Sequence, residues 1–378
     1  MKCSRRTFLA VWLLASGTGI TRAEDAAQLL AAGFEPVVRD MMTEYAIPGV
    51  SVAVVKDGEP VYAQAFGVKN VETGEPVTVR SLFHMASVTK TFVATAVMQL
   101  WEQGKVDLDA PLVQYLPYFK MRDLRYKEIT VAQMLNHTSG MPDVMNYEWN
   151  RPAYDDSALE EYIRSLFNRE LIAAPGTRER YSNMAFDVLG GLIATVSGMT
   201  FEDYVEQHIL KPLGMKDSTL MKPEADPALL TAPHVRRANS VEVSKVFPYN
   251  RKHAPSSTLL SNALDMSRWG LANLHRGELD GIRILKDATY DVLWRPKDNA
   301  FPNRGMSWFL GEHRGWKTVA HGGSDLGYTC YLVLLPEKQA GVIVAANLNG
   351  APASKLAFAA VDILLDNEPG AAPSNPHH

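Results

Sequence analysis

The sequence is poor in cysteine, with only Cys3 and Cys330 among its 378 residues. Cys3 lies in an N-terminal segment that we expect to be removed, and Cys330 alone can form no intramolecular disulfide. Residues 328–335 around Cys330 are apolar and strand-like. This setting favours a buried structural thiol over a reactive nucleophile. A disulfide framework is therefore excluded as the basis of the fold.

Two hydrolase signatures are absent from the sequence. No Gly-x-Ser-x-Gly motif occurs, which excludes the nucleophile elbow of an ordinary α/β-hydrolase. The ten histidines include no His-Glu-x-x-His, and no cysteine–histidine cluster has the spacing of metal ligands. The sequence therefore predicts neither a metal site nor a cofactor.

Neither sign of charge dominates, because the sequence has 38 Lys and Arg residues and 42 Asp and Glu residues, which gives a formal net charge of −4. This balance gives no reason to expect nucleic acid as a partner. The chain is 46% hydrophobic, as globular proteins are, and is long enough for one large domain or two closely packed ones. Beyond the N-terminus no apolar run reaches membrane length, so no permanent membrane span is predicted.

The N-terminal segment 1–23 is typical of a signal peptide. Arg5 and Arg6 precede a short apolar core over residues 8–15, and Thr21-Arg22-Ala23 offers a small-residue cleavage site. The paired arginines followed by Thr-Phe-Leu resemble a twin-arginine export signal. A retained membrane anchor is the alternative, although the apolar core is too short to span a bilayer permanently. We expect cleavage after Ala23 and a periplasmic or secreted protein.

The hydrophobic periodicity places strands at both ends of the chain and helices between them. Helices are predicted over residues 26–45, 91–103, 158–167, 185–196, 201–209 and 353–365, and strands over 50–55, 61–67, 317–321, 327–335 and 340–347. This order predicts a mixed α/β (α+β) fold, in which an antiparallel sheet is formed from both chain ends and a helical domain is inserted. We assign residues 24–80 and 261–366 to the discontinuous α/β domain, 81–260 to the helical domain and 367–378 to a disordered tail.

The first candidate for chemistry is Ser87-Val88-Thr89-Lys90, at the start of the helix predicted over residues 91–103. Residues three apart in a first helical turn lie on one face, so Ser87 and Lys90 are expected to meet. A lysine whose pKa is lowered by burial or by nearby cations can take the proton of a serine hydroxyl. The alternative is that Ser87 only caps the helix and Lys90 is solvated.

The second candidate is Tyr181-Ser182-Asn183, on a loop just before the helix predicted from residue 185. Tyr181 and Asn183 can both face a cleft there, Tyr181 as a phenol that exchanges protons and Asn183 as an amide that holds a substrate carbonyl. The alternative is an aromatic anchor followed by an asparagine that caps the helix.

The third candidate is His321-Gly322-Gly323-Ser324, where a predicted strand ends in two glycines. Gly323 would allow a substrate backbone to approach the strand edge, and a backbone N–H there can serve an oxyanion hole. The alternative is a plain turn, because the pattern also occurs at other points in the chain.

Taken in order, the three motifs resemble those of the serine β-lactamase/DD-peptidase-like, penicillin-recognising fold, in the class C β-lactamase-related branch. That branch includes class C β-lactamases, DD-peptidases, D-aminopeptidases and β-lactamase-like carboxylesterases. The likeness covers about residues 30–365. The stretch 135–142 also resembles one that is usual in the branch, and we interpret its His137 as a loop residue with satisfied hydrogen bonds rather than a catalyst.

The resemblance implies a role for each motif residue. Ser87 is the acylated nucleophile, and Lys90 and Tyr181 share the general base and acid work. Asn183 orients the substrate amide or ester, and the backbone N–H groups of Ser87 and Ser324 form the oxyanion hole. His321 departs from the lysine that is typical of class C β-lactamases at this position, and it carries at most a partial charge at neutral pH. Efficient hydrolysis of penicillins or cephalosporins is therefore in doubt.

The sequence thus predicts an exported serine hydrolase that forms an acyl-enzyme and cleaves a small-molecule or peptide substrate, either an ester or a D-amino-acid peptide. A true class C-type β-lactamase that hydrolyses β-lactams is the first alternative. A catalytically inert cell-wall-binding relative is the alternative from a different class. The sequence does not indicate the oligomeric state. The aromatic loops 146–156 and 245–255 either border the cleft or pack on their neighbours.

Overall fold

The structure is a computed structural model that describes residues 17–238 and 240–367, with side chains described from residue 23. Residues 1–16 of the predicted signal peptide and residues 368–378 of the predicted tail lie outside this range. The helix predicted from residue 26 begins earlier, at Gly17. It therefore runs through the predicted cleavage point at Ala23.

The described residues form α-helices and strands in the following chain order. The helices are α1 (Gly17–Glu44), α2 (Thr89–Glu102), α3 (Val131–Leu135), α4 (Ala158–Ser165), α5 (Asn183–Ser197), α6 (Phe201–Val205), α7 (Ala254–Ser257), α8 (Ala263–Leu274), α9 (Tyr290–Leu293) and α10 (Ala353–Asp366). The strands are β1 (Gly49–Lys56), β2 (Glu59–Gly67), β3 (Phe83–His84), β4 (His234–Arg237), β5 (Ser240–Val243), β6 (Leu260–Ser261), β7 (Glu278–Leu279), β8 (Ile282–Arg283), β9 (Phe309–His313), β10 (Trp316–Asp325), β11 (Tyr328–Leu335) and β12 (Ala340–Ala346).

The main sheet joins the two ends of the described chain. Its strand order is β2-β1-β12-β11-β10-β9, and every neighbouring pair is antiparallel. Val50 of β1 pairs with Ala346 of β12 in its centre. The prediction of an antiparallel sheet formed from both chain ends is therefore confirmed. The edge strand β9 is an addition that the sequence patterns did not predict.

Both faces of the sheet are covered, because its central strands are apolar on both sides. Successive strand residues point to opposite faces, so Val52 and Val54 pack with α1 and α10, while Ala53 and Val55 pack toward α8 and the helical region. Gly270 brings α8 close to the sheet, since a β-carbon there would touch Ile343 at 3.4 Å. This layered packing is the core that holds β10 in place.

The region between residues 81 and 260 is mainly helical, and its strands β3–β6 are short. Its centre is α2, whose residues 89–100 are all buried. The Phe92 ring stacks on Trp269 of α8 with ring centroids 3.9 Å apart, which joins α2 to the helix under the sheet. Gly104, at a φ of +69°, follows the end of α2, as glycine commonly does after a helix, and this agrees with the helix end predicted at residue 103.

Two predicted boundaries are wrong at the candidate motifs. α5 begins at Asn183 rather than residue 185, because Ser182 caps it by accepting a hydrogen bond from the Ala185 N–H. β10 does not end at His321 but continues to Asp325. Gly322, Gly323 and Ser324 therefore lie within a paired strand and not in a turn. Their partners are in β11, where Gly323 lies opposite Cys330.

Within the described residues, no single helix has the length and apolar character needed to cross a membrane. One helix pair, Asn183–Ser197 with Phe201–Leu210, meets the criterion of length and composition only when combined, and it is bent by 76°.

Candidate active site

Ser87 lies in a 3₁₀ turn, Ala86–Val88, that leads directly into α2. Ala86 has a φ of +45°, a left-handed conformation that is strained for a residue other than glycine. The turn is held from behind, because Thr89 Oγ1 donates to Ala86 O at 2.7 Å and accepts from the Leu259 N–H at 3.1 Å. Strained backbone of this kind clusters at functional sites. It fixes the direction in which the half-buried Ser87 side chain leaves the turn.

Lys90 is the second residue of α2 and is completely buried. Its Nζ lies 3.0 Å from Ser87 Oγ and 2.5 Å from the backbone oxygen of Ser256. Burial lowers the pKa of Lys90 from its usual 10.5 to about 8, while the charge of Asp187 acts in the opposite direction. The predicted meeting of Ser87 and Lys90 is therefore observed. A substantial fraction of Lys90 is neutral near pH 8 and can accept the serine proton.

Tyr181 packs against Lys90, and the Lys90 Nζ is 5.1 Å from the centre of the tyrosine ring. Burial raises the pKa of Tyr181, although a hydrogen bond with Ser87 opposes that rise. The hydroxyl is therefore a neutral phenol at physiological pH, suited to donating a proton rather than to accepting one. Of the two predicted partners, Lys90 has the pKa of a base.

His137 supports the tyrosine rather than taking part in proton transfer. Its ring stacks on Tyr181 with centroids 4.2 Å apart, and its Nδ1 accepts a hydrogen bond from the Ser182 N–H at 3.2 Å. Burial lowers its pKa well below the usual value of 6.5. The expectation of a fully satisfied loop histidine holds for one nitrogen only, because the buried Nε2 has no hydrogen-bond partner among the described residues.

Asn183 is held by a carboxylate that the sequence did not identify. Asp143 Oδ1 accepts hydrogen bonds from the Asn183 backbone N–H at 2.8 Å and from its side-chain Nδ2 at 3.0 Å. With one Nδ2 hydrogen engaged by Asp143, the amide oxygen Oδ1 and the second Nδ2 hydrogen of Asn183 remain to bind a substrate. Asp143 follows directly after the 135–142 stretch.

His321 is completely buried in β10, and the Phe309 ring meets it edge to face at 5.1 Å between centroids. Its Nδ1 lies 2.7 Å from the backbone oxygen of Gly322. Since a carbonyl can only accept, Nδ1 carries the proton and Nε2 is left as a free acceptor. Burial, with the nearby charge of Lys90, lowers the pKa of His321 to about 3. The imidazole is therefore neutral at physiological pH.

Gly323 is the point at which β10 passes the Ser87 turn. A β-carbon on Gly323 would clash with Met85 O and lie 3.0 Å from the Ser87 backbone nitrogen. Cys330, opposite Gly323, donates its thiol to Met85 O at 2.8 Å, and burial raises its pKa. This thiol is therefore the buried structural residue predicted from the sequence. The exposed Ser324 follows Gly323 in β10, and its backbone N–H stays the oxyanion donor that the resemblance implies.

The two aromatic loops are joined to each other beside the site. Asn250 Nδ2 donates to Tyr147 O at 2.9 Å, and Lys252 Nζ lies 2.8 Å from Glu148 Oε2. The Tyr147 ring also meets His253 edge to face, at 5.0 Å between centroids. Of the two alternatives left open by the sequence, the packing of these loops on their neighbours is observed.

This geometry brings together a serine hydroxyl, a buried amine, a neutral phenol and an amide. Such a set can activate the hydroxyl, stabilise the attack on a carbonyl and protonate a leaving group. The fold and this site define a class of serine hydrolases with a penicillin-recognising architecture.

The sequence of the chain agrees with that class. The beta-lactamase family pattern matches residues 34–365, and the chain belongs to the beta-lactamase family. The Protein flp of Staphylococcus aureus (strain MW2) is 27% identical over 317 residues, which are 82% of this chain and 61% of flp. The chain therefore spans less than two thirds of that relative. Penicillin-binding protein 4 of Amycolatopsis lactamdurans is 27% identical over 327 residues, or 83% of this chain and 84% of that protein.

Solved structures share the same fold. The octameric penicillin-binding protein homologue from Pyrococcus abyssi has a TM-score of 0.77 and 30% identity, over 89% of this chain and 77% of that one. The D-alanine carboxypeptidase AmpC from Burkholderia cenocepacia has a TM-score of 0.72 and 23% identity, over 90% of this chain and 99% of that one. The predicted fold class and family are therefore confirmed.

Proposed function

We propose that this chain is an exported serine hydrolase that cleaves esters or D-amino-acid peptides and amides through an acyl-enzyme on Ser87. The observation that carries the proposal is the 3.0 Å contact between Ser87 Oγ and the Nζ of Lys90. Lys90 is buried and has a pKa of about 8, so it is a base that works near neutral pH.

The proposed reaction begins with proton transfer from Ser87 Oγ to neutral Lys90 as the oxygen attacks the substrate carbonyl carbon. The carbonyl oxygen becomes an oxyanion, for which the backbone N–H groups of Ser87 and Ser324 are the candidate donors. Tyr181 gives its phenolic proton to the leaving group and receives the proton held by Lys90. The bond between the carbonyl carbon and the leaving group breaks, and water then cleaves the acyl-enzyme by the reverse sequence of proton transfers.

The environment of His321 supports the preference for neutral substrates over β-lactams. A neutral histidine with a free acceptor nitrogen attracts no carboxylate, and Asp143 adds negative charge near Asn183. We therefore expect short p-nitrophenyl esters to be hydrolysed with a higher kcat/KM than benzylpenicillin. A kcat/KM for benzylpenicillin above that of the esters would favour the β-lactamase alternative.

The acyl-enzyme is tested by intact-protein mass spectrometry after addition of a fluorophosphonate and, separately, of benzylpenicillin. We expect one fluorophosphonate adduct on the wild-type chain and none on Ser87→Ala. Ser139→Ala is a matched control, since Ser139 is a buried serine that donates no proton in the proposed reaction, and it should be labelled as the wild type is. Labelling of Ser87→Ala at the wild-type rate would contradict the proposal, as would a wild-type chain that is never labelled, which is the behaviour of the inert alternative.

Export is a separate part of the proposal and rests on Arg5, Arg6 and the apolar core that follows them. Expression of the full chain in a bacterium, followed by fractionation, tests it. We expect periplasmic protein whose N-terminus follows Ala23, and retention in the cytoplasm when both arginines are replaced by lysine. Full-length protein in the cytoplasm of the wild-type strain would refute export.

A further inference from the structure

A buried carboxylate and a buried histidine form a pair behind Lys90, outside the three sequence motifs. Asp187 lies in α5, one helical turn after Asn183, and is completely buried. Its Oδ2 lies 2.7 Å from Nδ1 of His253, which is also buried and ends the 3₁₀ turn Arg251–His253. A buried carboxylate is costly unless it is paired. The position of Asp187 behind Lys90 points to a second role for this carboxylate.

The pair is connected to Lys90 through α7. Ser256 of α7 accepts the Lys90 hydrogen bond at its backbone oxygen, and its Oγ donates to the backbone oxygen of His253 at 3.1 Å. The Ser256 side chain also lies next to the Asp187 carboxylate. The contact between His253 and Asp187 thus fixes α7 on α5, and with it the carbonyl that holds the lysine amine.

The packing of α7 on α5 leaves no space for movement. A β-carbon on Gly190 would overlap Pro255, which is the residue before Ser256. The rings of Tyr147 and Tyr162 meet His253 edge to face, with centroids 5.0 Å and 4.5 Å away. These aromatic contacts and the Asp187 hydrogen bond define one position for the imidazole.

Asp187 is also the main opposing charge for Lys90. Burial raises the pKa of Asp187, while His253, the Ser256 hydrogen bond and the charge of Lys90 oppose that rise and favour the carboxylate. Three carboxylates raise the pKa of Lys90, and Asp187 has the largest effect, followed by Asp325 and Asp143. Asp325 is engaged by His84 at 2.8 Å, and Asp143 is engaged by Asn183. Glu148, whose carboxylate pairs with Lys252 at 2.8 Å, also interacts with His253. Five further titratable groups around the pair and the amine are Tyr147, Tyr162, Tyr181, His137 and His321. Burial keeps all five neutral at physiological pH.

We propose that Asp187 and His253 are positioning residues for Lys90. His253 holds α7 and Asp187 in place, and the Asp187 carboxylate controls the charge of the Lys90 amine. The proposal rests on the proposed function, because it assigns Lys90 the role of the base. Without the carboxylate, the buried amine loses its proton more easily. With it, Lys90 keeps enough basicity to take the proton from Ser87.

The test is the pH dependence of kcat/KM for p-nitrophenyl acetate, with Asp187→Asn compared with the wild type. Asparagine has nearly the same shape and carries no charge, so we expect the acid limb of the profile to move to lower pH by about 0.5 to 1 unit. The matched control is Asp265→Asn, another buried carboxylate, which lies in the first turn of α8 and accepts hydrogen bonds from the Asp217 and Ser218 N–H groups. Its variant should lose stability but keep the wild-type acid limb.

A fall in kcat/KM by the same factor at every pH, with the acid limb unmoved, would overturn the proposal, because a merely structural role predicts that result. Asp187→Ser is the second variant and should shift the limb in the same direction. If neither neutral variant folds while Asp265→Asn does, the pair is structural only and the proposal fails. Ser87→Ala separates this failure from that of the proposed function, because full activity of Ser87→Ala would remove Ser87 and Lys90 from the reaction altogether.

Discussion

The backbone of Gly323 runs so close to the Ser87 turn that a single added carbon would lie 3.0 Å from the Ser87 nitrogen. The contact joins a strand from one part of the chain to a turn from another. It gives a physical reason for glycine at this position that does not depend on any turn.

Gly323→Ala should abolish most of the activity without unfolding the chain. The added β-carbon pushes the Ser87 turn away from β10, and displacement of about 1 Å can cost about 100-fold in rate. The measurement is kcat/KM for p-nitrophenyl acetate together with the melting temperature. Gly322→Ala is the control, because its β-carbon would lie 3.2 Å from the Tyr331 side chain and 3.8 Å from the backbone oxygen of Cys330, with no clash against backbone. Equal activity of the two variants would contradict this account of the site.

Lys90→Arg should lower kcat/KM by about 10²- to 10⁴-fold, which is the usual contribution of a general base. An arginine keeps the positive charge but stays protonated at every accessible pH, so it cannot accept the Ser87 proton. Steady-state hydrolysis and the rate of fluorophosphonate labelling both report this loss. Lys105→Arg, at an exposed lysine just after α2, should change neither. An active Lys90→Arg enzyme would assign the base to another group.

The wild-type kcat/KM should rise with pH and level off above about pH 8. Only neutral Lys90 is active, and burial lowers its pKa from 10.5 to about 8, so the active fraction increases about tenfold per unit below that pH. His321, with a pKa lowered to about 3, and Tyr181, with its pKa raised by burial, do not titrate in this range. A stopped assay of p-nitrophenyl ester hydrolysis between pH 6 and 9.5 gives the profile. A flat profile over this range would show that Lys90 does not change its protonation state in catalysis.

Asp143→Ala should reduce kcat/KM by about 10- to 100-fold, the equivalent of losing a hydrogen bond to a charged group. Without the carboxylate, Asn183 loses the contacts at 2.8 Å and 3.0 Å that orient its amide. The kinetics should be measured with a D-alanyl amide and with an ester, because the amide oxygen of Asn183 can accept a hydrogen bond from an N–H that only the amide substrate has. We expect the larger loss for the amide. Equal losses for both substrates, or no loss with a wild-type melting temperature, would refute the orienting role.

The local parts of the site were predictable from the sequence. Ser87 and Lys90 lie three residues apart on one helical turn, and this spacing alone brings their side chains together. Tyr181 and Asn183 were recognised by residue type, order and resemblance, and the structure places Tyr181 beside Ser87. The sheet formed from both chain ends followed from the positions of the apolar strands.

The parts that were not predictable depend on contacts between distant residues. Asp187 and His253 are 66 residues apart, and neither belongs to a recognisable motif. The left-handed backbone conformation of Ala86 could not be predicted, because Thr89, Leu259 and the neighbouring strand impose it. The neutral state of His321 depends on burial and on a hydrogen bond to its own neighbour. Residue type and spacing carry no information about these effects.

Because β1 pairs with β12, the centre of the sheet cannot form while the chain is being synthesised. Residues 50 and 346 are direct partners, and a ribosome working at about 5–20 residues per second needs roughly 15–60 s to travel between them. During that interval β1 and β2 have an unpaired edge and an apolar face without its covering layer. The folding barrier therefore includes the closure of a very long loop, and the unpaired edge stays open to pairing with other chains until the last strand has emerged.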